Sequence, residues 1–193
     1  MPKLSHQPDV LDFLAGRRSR PAKTLTAPAP DRAALEPILE LALRVPDHGK
    51  LEPWRLIVLE GEALANCADL AAERAARLGF DPERVEKTSV MFRNAPLIVA
   101  VVESPVDSEK VPFFEQTLSS GAVCQSLLTA ALASGWGANW LSGPLAIDAD
   151  FGAKALGLRS EERVAGFIVI GTETKQPPER PRPDLSKKVT WRA

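Results

Sequence analysis

Residues 113–134 read FFEQTLSSGAVCQSLLTAALAS, and no charged side chain occurs from Gln116 to Ile147. The apolar and small residues predict one long helix, Phe113–Ser134, buried at the centre of the fold. A membrane helix needs roughly 20 mainly apolar residues. The uncharged stretch contains Gln, Asn, Ser, Gly and Pro, and its most apolar part is only Leu127–Trp136. A buried helix followed by a tight loop is therefore favoured over a membrane span.

Short strands and helices alternate on both sides of this helix. A continuous apolar run is typical of a strand covered on both faces. We predict strands at Trp54–Glu60, Leu97–Val102, Gly137–Ser142 and Val164–Gly171. The helices are expected from Val10 to Gly16, after Asp31 with a kink or a late start at Pro37, over Glu62–Leu78 and Pro82–Asn94, and after Asp148 or Asp150. The pattern indicates an α+β or α/β domain with a single layer of sheet and helices around it.

The C-terminal segment differs from the rest of the chain. Residues 174–193 contain four prolines, many charges and little apolar content before Val189 and Trp191. Such a segment cannot form its own core, so it either extends into solvent or wraps around a partner. Because a solvated Trp leaves about 150–250 Å² of buriable surface unused, Trp191 favours wrapping. We expect one domain over residues 1–173 and an arm over 174–193.

Composition excludes several classes of protein. The chain has 193 residues and a formal net charge of −1, so no overall positive field favours nucleic acid. The N-terminal residues contain no apolar stretch typical of a signal peptide. Two cysteines, Cys67 and Cys124, are too few for a disulfide framework, and we expect a cytoplasmic protein.

Common catalytic signatures are missing. The sequence has no phosphate-binding loop of the GxxxxGK[ST] type and no GxSxG motif, and the run beginning at Gly135 has Trp140 where a dinucleotide fingerprint needs glycine. His6 and His48 lack neighbours at metal-ligand spacing, so no metal is expected. Both cysteines lie in Ala- and Leu-rich helical segments and are expected to be buried. We expect no catalytic nucleophile from the protein.

Three local patterns remain as candidate binding segments. Arg17-Arg18-Ser19-Arg20 follows a helix and could cradle a phosphate or could be a solvated basic helix end. The Arg44–Trp54 loop combines charged side chains with two prolines and is either a site or a surface loop. Trp136–Pro144 offers flat rings and glycine backbone, or it is a turn with both tryptophans in the core. Together the three suggest a flat, phosphorylated cofactor such as FMN.

The order of these motifs resembles the nitroreductase family, most closely its small YdjA-like branch. Arg17-Arg18-Ser19 is followed by Pro46-Asp47-His48, Glu52-Pro53-Trp54, Trp140-Leu141-Ser142-Gly143 and Gly166–Thr172, over nearly the whole chain. The resemblance implies an α+β nitroreductase-like fold, with a mixed central sheet surrounded by helices and a long central helix. It further implies an intertwined homodimer with FMN at the subunit interface.

The resemblance also implies roles for individual residues. Cofactor contacts fall on Arg17, Arg18, Ser19, Arg44, His48, Lys50, Leu141, Ser142 and Gly143, and nicotinamide contacts on Ala131, Leu132, Ala133, Ser134, Gly135 and Trp136. Core packing is the alternative for the latter segment. A basic residue after the last strand often completes the phosphate site in the family, and Lys175, Arg180 and Arg182 are all candidates. Glu52 could pair with Lys50 and neutralise it.

The expected function is that of an NAD(P)H nitroreductase-like flavin oxidoreductase. Members of the family pass a hydride from NADH or NADPH through flavin N5 to a nitroaromatic, quinone-like or related acceptor, in a ping-pong mechanism. The same fold could instead act on one specific metabolite, by dehalogenation or dehydrogenation. A non-catalytic flavin-binding or dimeric interaction protein is the alternative from another class. No nucleic-acid or membrane partner is expected.

Overall fold

A computed structural model describes residues 5–192 of the chain. Its helices are α1 Pro8–Gly16, α2 Arg32–Ala42, α3 Glu62–Arg77, α4 Pro82–Arg93, α5 Phe113–Ala133 and α6 Ala149–Leu156. Its strands are β1 Leu25–Thr26, β2 Trp54–Leu59, β3 Ile98–Glu103, β4 Gly137–Leu141 and β5 Arg163–Glu173. The mixture of helices and one sheet confirms the α+β class.

The five strands form one sheet in which β5 has three partners. The order is β1-β5-β3-β2, and β4 also pairs with β5. Every strand pair among residues 5–192 is antiparallel. The expectation of a mixed sheet is therefore wrong for the described part of the chain. Long helical connections separate β2 from β3 and β3 from β4. Strand β3 returns antiparallel to β2, whereas β4 runs in the same direction as β3 and pairs antiparallel with β5, which lies between them.

Strand β3 is buried on both faces and divides the core in two. Ile98 and Ala100 pack with Phe92 in one cluster, whereas Val99 and Val101 belong to the other. This alternation follows from the two-residue period of a strand. The first cluster lies under α3, α4 and α6, and the second lies under α2 and α5. The prediction of a single layer of sheet with helices around it is confirmed.

The long uncharged helix predicted from Phe113 is present as α5. Val123 and Leu127 are fully buried against the sheet. Gln116 is also buried, and its amide group bonds the backbone of Val106 through both its oxygen and its nitrogen, at 2.9 and 2.8 Å. This polar core residue therefore holds the loop before α5 in place. No helix of the described residues is long and apolar enough to cross a membrane.

Helix caps agree with the sequence, but one strand was not predicted. The carboxylates of Asp31 and Asp148 accept hydrogen bonds from the first turns of α2 and α6. Helix α2 begins at Arg32 with Pro37 inside it, so the late start is not found. Leu25 and Thr26, for which no strand was predicted, form the two-residue strand β1. Two residues are too short for any periodicity to indicate a strand.

A buried ion pair joins β2 to the turn before β5. The Glu162 side chain is fully buried. Its carboxylate accepts two hydrogen bonds from the Arg55 guanidinium, at 2.8 and 2.9 Å. The hydrogen bonds from Arg55 lower the pKa of Glu162 to about 2, against the opposing effect of burial. The backbone N–H of Arg159 donates to the same carboxylate. The pair therefore fixes the end of the sheet.

We predict that Glu162→Gln lowers the free energy of unfolding by about 2 kcal/mol at pH 7, because it leaves Arg55 without its partner. The folded pKa lies below the unfolded value near 4.3, so this stability is present above that pH and is lost as the pH falls towards 2. Urea unfolding at pH 7 and pH 3 measures the difference. The control is Glu161→Gln, at an exposed neighbour. An equal deficit at both pH values would contradict the prediction.

Candidate functional site

Four arginines and a serine surround one cavity of about 330 Å³ at the end of α1. Arg17, Arg18 and Ser19 line it from the N-terminal side, and Arg180 and Arg182 line it from the C-terminal segment. We call the cavity that these five residues line the arginine cavity. Gln125, Leu128 and Trp140 complete its wall. The structure thus brings together the first predicted binding segment and two of its three candidate basic partners, whereas Lys175 does not line this cavity.

Backbone carbonyls hold these like-charged side chains together. Arg182 donates a hydrogen bond to the carbonyl of Ala15 in α1, at 2.7 Å. Arg18 donates to the carbonyl of Pro178, at 3.3 Å. The C-terminal segment therefore packs against α1 of its own chain at this point. These neutral carbonyls fix the guanidinium groups without adding a negative charge. Arg182 also lies 3.5 Å from the exposed carboxylate of Glu179, whereas among residues 5–192 no carboxylate pairs with Arg17 or Arg18.

The arginine cavity has the electrostatic character of an anion site. The Nε atoms of Arg17 and Arg18 are buried and have no hydrogen-bond partner among residues 5–192. Burial lowers the pKa of Arg17, and the nearby charges of Arg18 and Arg182 lower it further. Buried donors without partners are costly, so an anion that accepted their hydrogen bonds would stabilise this arrangement. Arg20 differs, because it lies 3.4 Å from the carboxylate of Glu173.

The wall of the cavity depends on a glycine in β5. The indole of Trp140 lies directly over Gly166, where a Cβ atom would collide with both Trp140 and Cys124. Trp140 is partly exposed and lines the arginine cavity, so it is not a core residue as one alternative supposed. Any larger residue at position 166 would displace this wall.

The second predicted segment contains strained backbone. Lys50 and Glu52 have φ values of +55° and +47°, a region that costs a non-glycine residue about 1–2 kcal/mol. The carboxylate of Asp47 accepts hydrogen bonds from the backbone N–H groups of Leu51 and Glu52, at 3.2 and 2.8 Å. Asp47 therefore maintains the strained turn, and the Lys50 side chain projects from it exposed.

Helix α5 anchors this loop near its N-terminus. His48 Nδ1 lies 2.6 Å from a carboxylate oxygen of Glu115. The Ser119 hydroxyl donates to the carbonyl of Pro46 and accepts from the indole N–H of Trp54, at 2.8 and 3.0 Å. Sequence reasoning missed Glu115 and Ser119, because nothing local links them to a loop more than sixty residues earlier.

The loop and the arginine cavity lie apart in a single chain. The loop contacts α5 at Glu115 and Ser119, whereas the cavity contacts it at Gln125 and Leu128. With a rise of 1.5 Å per residue, these positions are roughly 15 Å apart along the helix. Arg44, His48 and Lys50 do not line the arginine cavity. The structure therefore does not bring all predicted cofactor contacts together within one subunit.

The third predicted segment, Trp136–Pro144, contains β4 and the residues directly after it. Leu141 is half-buried, whereas Ser142 and Gly143 are exposed and line a second depression of about 260 Å³. We call this depression the α4 groove, because α4 forms its other side. Trp140 of the arginine cavity and Ser142 of the groove are two residues apart in the chain. The groove lies on the α4 side of the sheet and the arginine cavity on the α5 side, and the two depressions share no lining residue.

The predicted nicotinamide segment ends α5. Ala131 is fully buried in the core, and Ala133 and Ser134 are exposed. Leu132, Gly135 and Trp136 line a further cavity of about 330 Å³, which shares Arg17 and Arg18 with the arginine cavity. Because Arg17 and Arg18 line both cavities, the two cavities adjoin.

The cysteines lie in the core. Burial raises the pKa of Cys67 to about 11 and that of Cys124 to about 12, so both remain protonated thiols near neutral pH. Their expected burial is confirmed. Among residues 5–192, no group of three or more His, Cys, Asp or Glu side chains is arranged to hold a metal ion.

Comparison with known proteins gives a family match over most of the chain. The family model described as "Nitroreductase family" matches residues 14–172. A curated relative, "Putative NAD(P)H nitroreductase YdjA" of Escherichia coli K12, is 35% identical over 164 residues, covering 85% of this chain and 88% of the relative.

Solved structures share the fold at lower identity. A nitroreductase-like family protein from Bacillus cereus has a TM-score of 0.79 at 24% identity and covers 99% of this chain and 98% of its own. A variant of NfnB from Sphigopyxis sp. strain HMH, described as an FMN- and NADPH-dependent nitroreductase, has a TM-score of 0.76 at 23% identity, covering 95% and 99%. At this identity the likeness concerns the fold.

Proposed function

We propose how this chain, which belongs to the nitroreductase family and is an enzyme of the oxidoreductase type, works. It uses FMN to reduce a small acceptor with NAD(P)H. For a nitroaromatic acceptor, NAD(P)H and one proton convert R–NO₂ to R–NO, with NAD(P)⁺ and water as the other products. Quinone-like and related acceptors take the same two electrons. The similar chains named above are described as using NAD(P)H, or FMN and NADPH.

The observation that carries this proposal is the arginine cavity. Its donors fit a phosphate monoester, which has three terminal oxygens and a charge of up to −2. Arg17 and Arg18 offer buried Nε–H groups that have no partner among the described residues. Ser19 adds a hydroxyl, and Arg180 and Arg182 add two more guanidinium groups. We assign the FMN phosphate to this cavity, with Arg180 and Arg182 as its C-terminal ligands.

The flavin ring is assigned to the neighbouring segment. From the arginine cavity, the strand passes Trp140 and reaches Leu141, Ser142 and Gly143 within two or three residues. Ser142 and Gly143 are exposed, so their backbone N–H groups can donate to the polar edge of a flat ring. Bound FMN would supply the hydride chemistry, and these residues would orient its ring.

A second copy of the chain would complete the site. Arg44, His48 and Lys50 do not line the arginine cavity, and the contact of His48 with α5 lies about half of the helix away from it, so one subunit does not assemble all contacts. Beside the loop contacts, α5 exposes Phe114 and Leu118, at 71% and 57%. Further along α5, towards the cavity, Gly121 leaves open space where a side chain would be. Such an apolar helix face is typical of an interface. We propose a homodimer packed through this face, with one FMN between each cavity and its partner's loop.

The C-terminal arm fits the same assembly. Residues 178–182 are tied to α1 of their own chain, but Trp191 is 90% exposed. We propose that the arm beyond the arginine cavity covers the partner subunit and buries Trp191 there.

The residues near the proposed ring leave proton and electron transfer to the cofactor. Both cysteines are buried thiols with raised pKa values, and neither lines the arginine cavity or the α4 groove. The segment Leu132–Trp136 adjoins the arginine cavity, and we propose it as a contact for the NAD(P)H donor. The protein's own contribution is then binding, orientation and exclusion of water.

We predict that Arg17→Ala weakens FMN binding about 10- to 100-fold, because it removes a charge-assisted hydrogen bond worth roughly 1.5–3 kcal/mol. The measurement is the molar ratio of FMN to protein after reconstitution and desalting. Arg32→Ala, at an exposed arginine of α2 paired with Glu36, is the matched control. Equal FMN content in both variants would remove Arg17 from the phosphate site.

We also predict ping-pong kinetics for the reconstituted enzyme, because donor and acceptor take turns at one flavin face. Initial rates measured at several fixed NAD(P)H concentrations should give parallel double-reciprocal lines against acceptor. Converging lines would show that both substrates bind at once and would contradict a shared position.

A further inference from the structure

The α4 groove has an apolar floor and a cationic side. Leu145 and Phe167 are buried, and Met91 packs beside them. The side formed by α4 carries Arg84 and Lys87, which are three residues apart and therefore lie on one face of the helix. The lining residues that the structure describes include no carboxylate.

Both cations remain available to a ligand. The guanidinium carbon of Arg84 lies 3.7 Å from the centre of the Phe80 ring, a contact that leaves its N–H groups free for hydrogen bonds. Lys87 lies 3.7 Å from Glu83, but these side chains are 79% and 87% exposed. An exposed pair of this kind is worth little, so Glu83 does not hold Lys87 against a competing anion.

The opposite side of the groove is the segment proposed to hold the flavin ring. Ser142 and Gly143 line the groove together with Pro144 and Leu145. A ligand that lies in the groove therefore contacts the proposed flavin segment at one end and the two cations at the other. The groove is thus placed to bind the electron acceptor.

We propose that the α4 groove selects an acceptor with a flat apolar ring and an anionic substituent such as a carboxylate. The ring packs on Met91 and Phe167, and the anion pairs with Arg84 and Lys87. The reducible group then points towards Ser142 and Gly143. This inference rests on the proposed function, and it names the class of substrate.

A phosphate of NADPH is another source of negative charge. The groove measures about 260 Å³, below the roughly 300–1,000 Å³ of pockets that hold drug-sized ligands. Its size therefore favours a single substituted ring over a dinucleotide. The experiment below distinguishes the two sources.

The test compares 4-nitrobenzoate with 4-nitrobenzamide, which differ in charge and little in shape. In the double variant R84Q/K87Q, the ratio of kcat/KM for nitrobenzoate to that for nitrobenzamide should fall about tenfold. The control R77Q/K154Q removes the same charge from exposed positions outside the groove and should keep the ratio of the parent enzyme. If the double variant does not fold, K87Q alone should lower the ratio about threefold.

Other results would overturn the inference. If the kcat/KM ratio of nitrobenzoate to nitrobenzamide is unchanged in R84Q/K87Q, or falls equally in the control, the groove does not distinguish the charge of the acceptor. A fall in the preference for NADPH over NADH, without a change in the acceptor ratio, assigns the cations to the dinucleotide instead.

Equilibrium dialysis separates this inference from the proposed function. If the protein retains no FMN and oxidises no NAD(P)H, the proposed function fails. The ratio of the dissociation constants of 4-nitrobenzoate and 4-nitrobenzamide then still tests directly whether the groove prefers an anionic ligand. Equal affinities for the two compounds would overturn the inference by itself.

Discussion

Strand β5 pairs with three other strands, and the candidate site depends on this arrangement. Its partner β4 carries Trp140 and ends at Leu141, and the close approach of Trp140 requires Gly166 in β5. The backbone N–H of Arg20 donates to the carbonyl of Ala138 in β4, which fixes the segment after α1 at the same edge. The chain then leaves β5 towards Arg180 and Arg182. The strand pairing therefore brings together groups distant in the sequence.

The electrostatics of the site indicate why these groups are arranged for a ligand. Arg17, Arg18 and Arg182 repel one another, and burial of Arg17 adds a desolvation cost that lowers its pKa. Backbone carbonyls orient Arg18 and Arg182, and the exposed carboxylate of Glu179 lies 3.5 Å from Arg182. The turn at Lys50 and Glu52 stores backbone strain in the second segment. The charge repulsion and desolvation of the arginines and the backbone strain of the turn all lower the stability of the folded chain. A bound phosphate would offset the charge repulsion.

Much of the fold could be predicted from local sequence patterns, whereas tertiary placement could not. The long helix, the capping residues and the four longer strands follow from periodicity and side-chain chemistry. Strand direction does not follow from these local patterns. The mixed sheet inferred from the family resemblance was wrong for the described residues. At the site, the Arg17–Ser19 motif was visible in the sequence. That Arg180 and Arg182 line the cavity, and Lys175 does not, was not visible, because it depends on the path of the segment after β5. The α4 groove joins residues more than fifty positions apart and leaves no local pattern.

A visible absorbance spectrum tests directly whether this chain holds FMN and reduces it with NAD(P)H. The protein is incubated with excess FMN, and unbound cofactor is removed before the spectrum is recorded. We expect the bands of oxidised flavin, which bleach under anaerobic conditions when NADH or NADPH is added. A colourless protein, or a bound flavin that neither nucleotide bleaches, would contradict it.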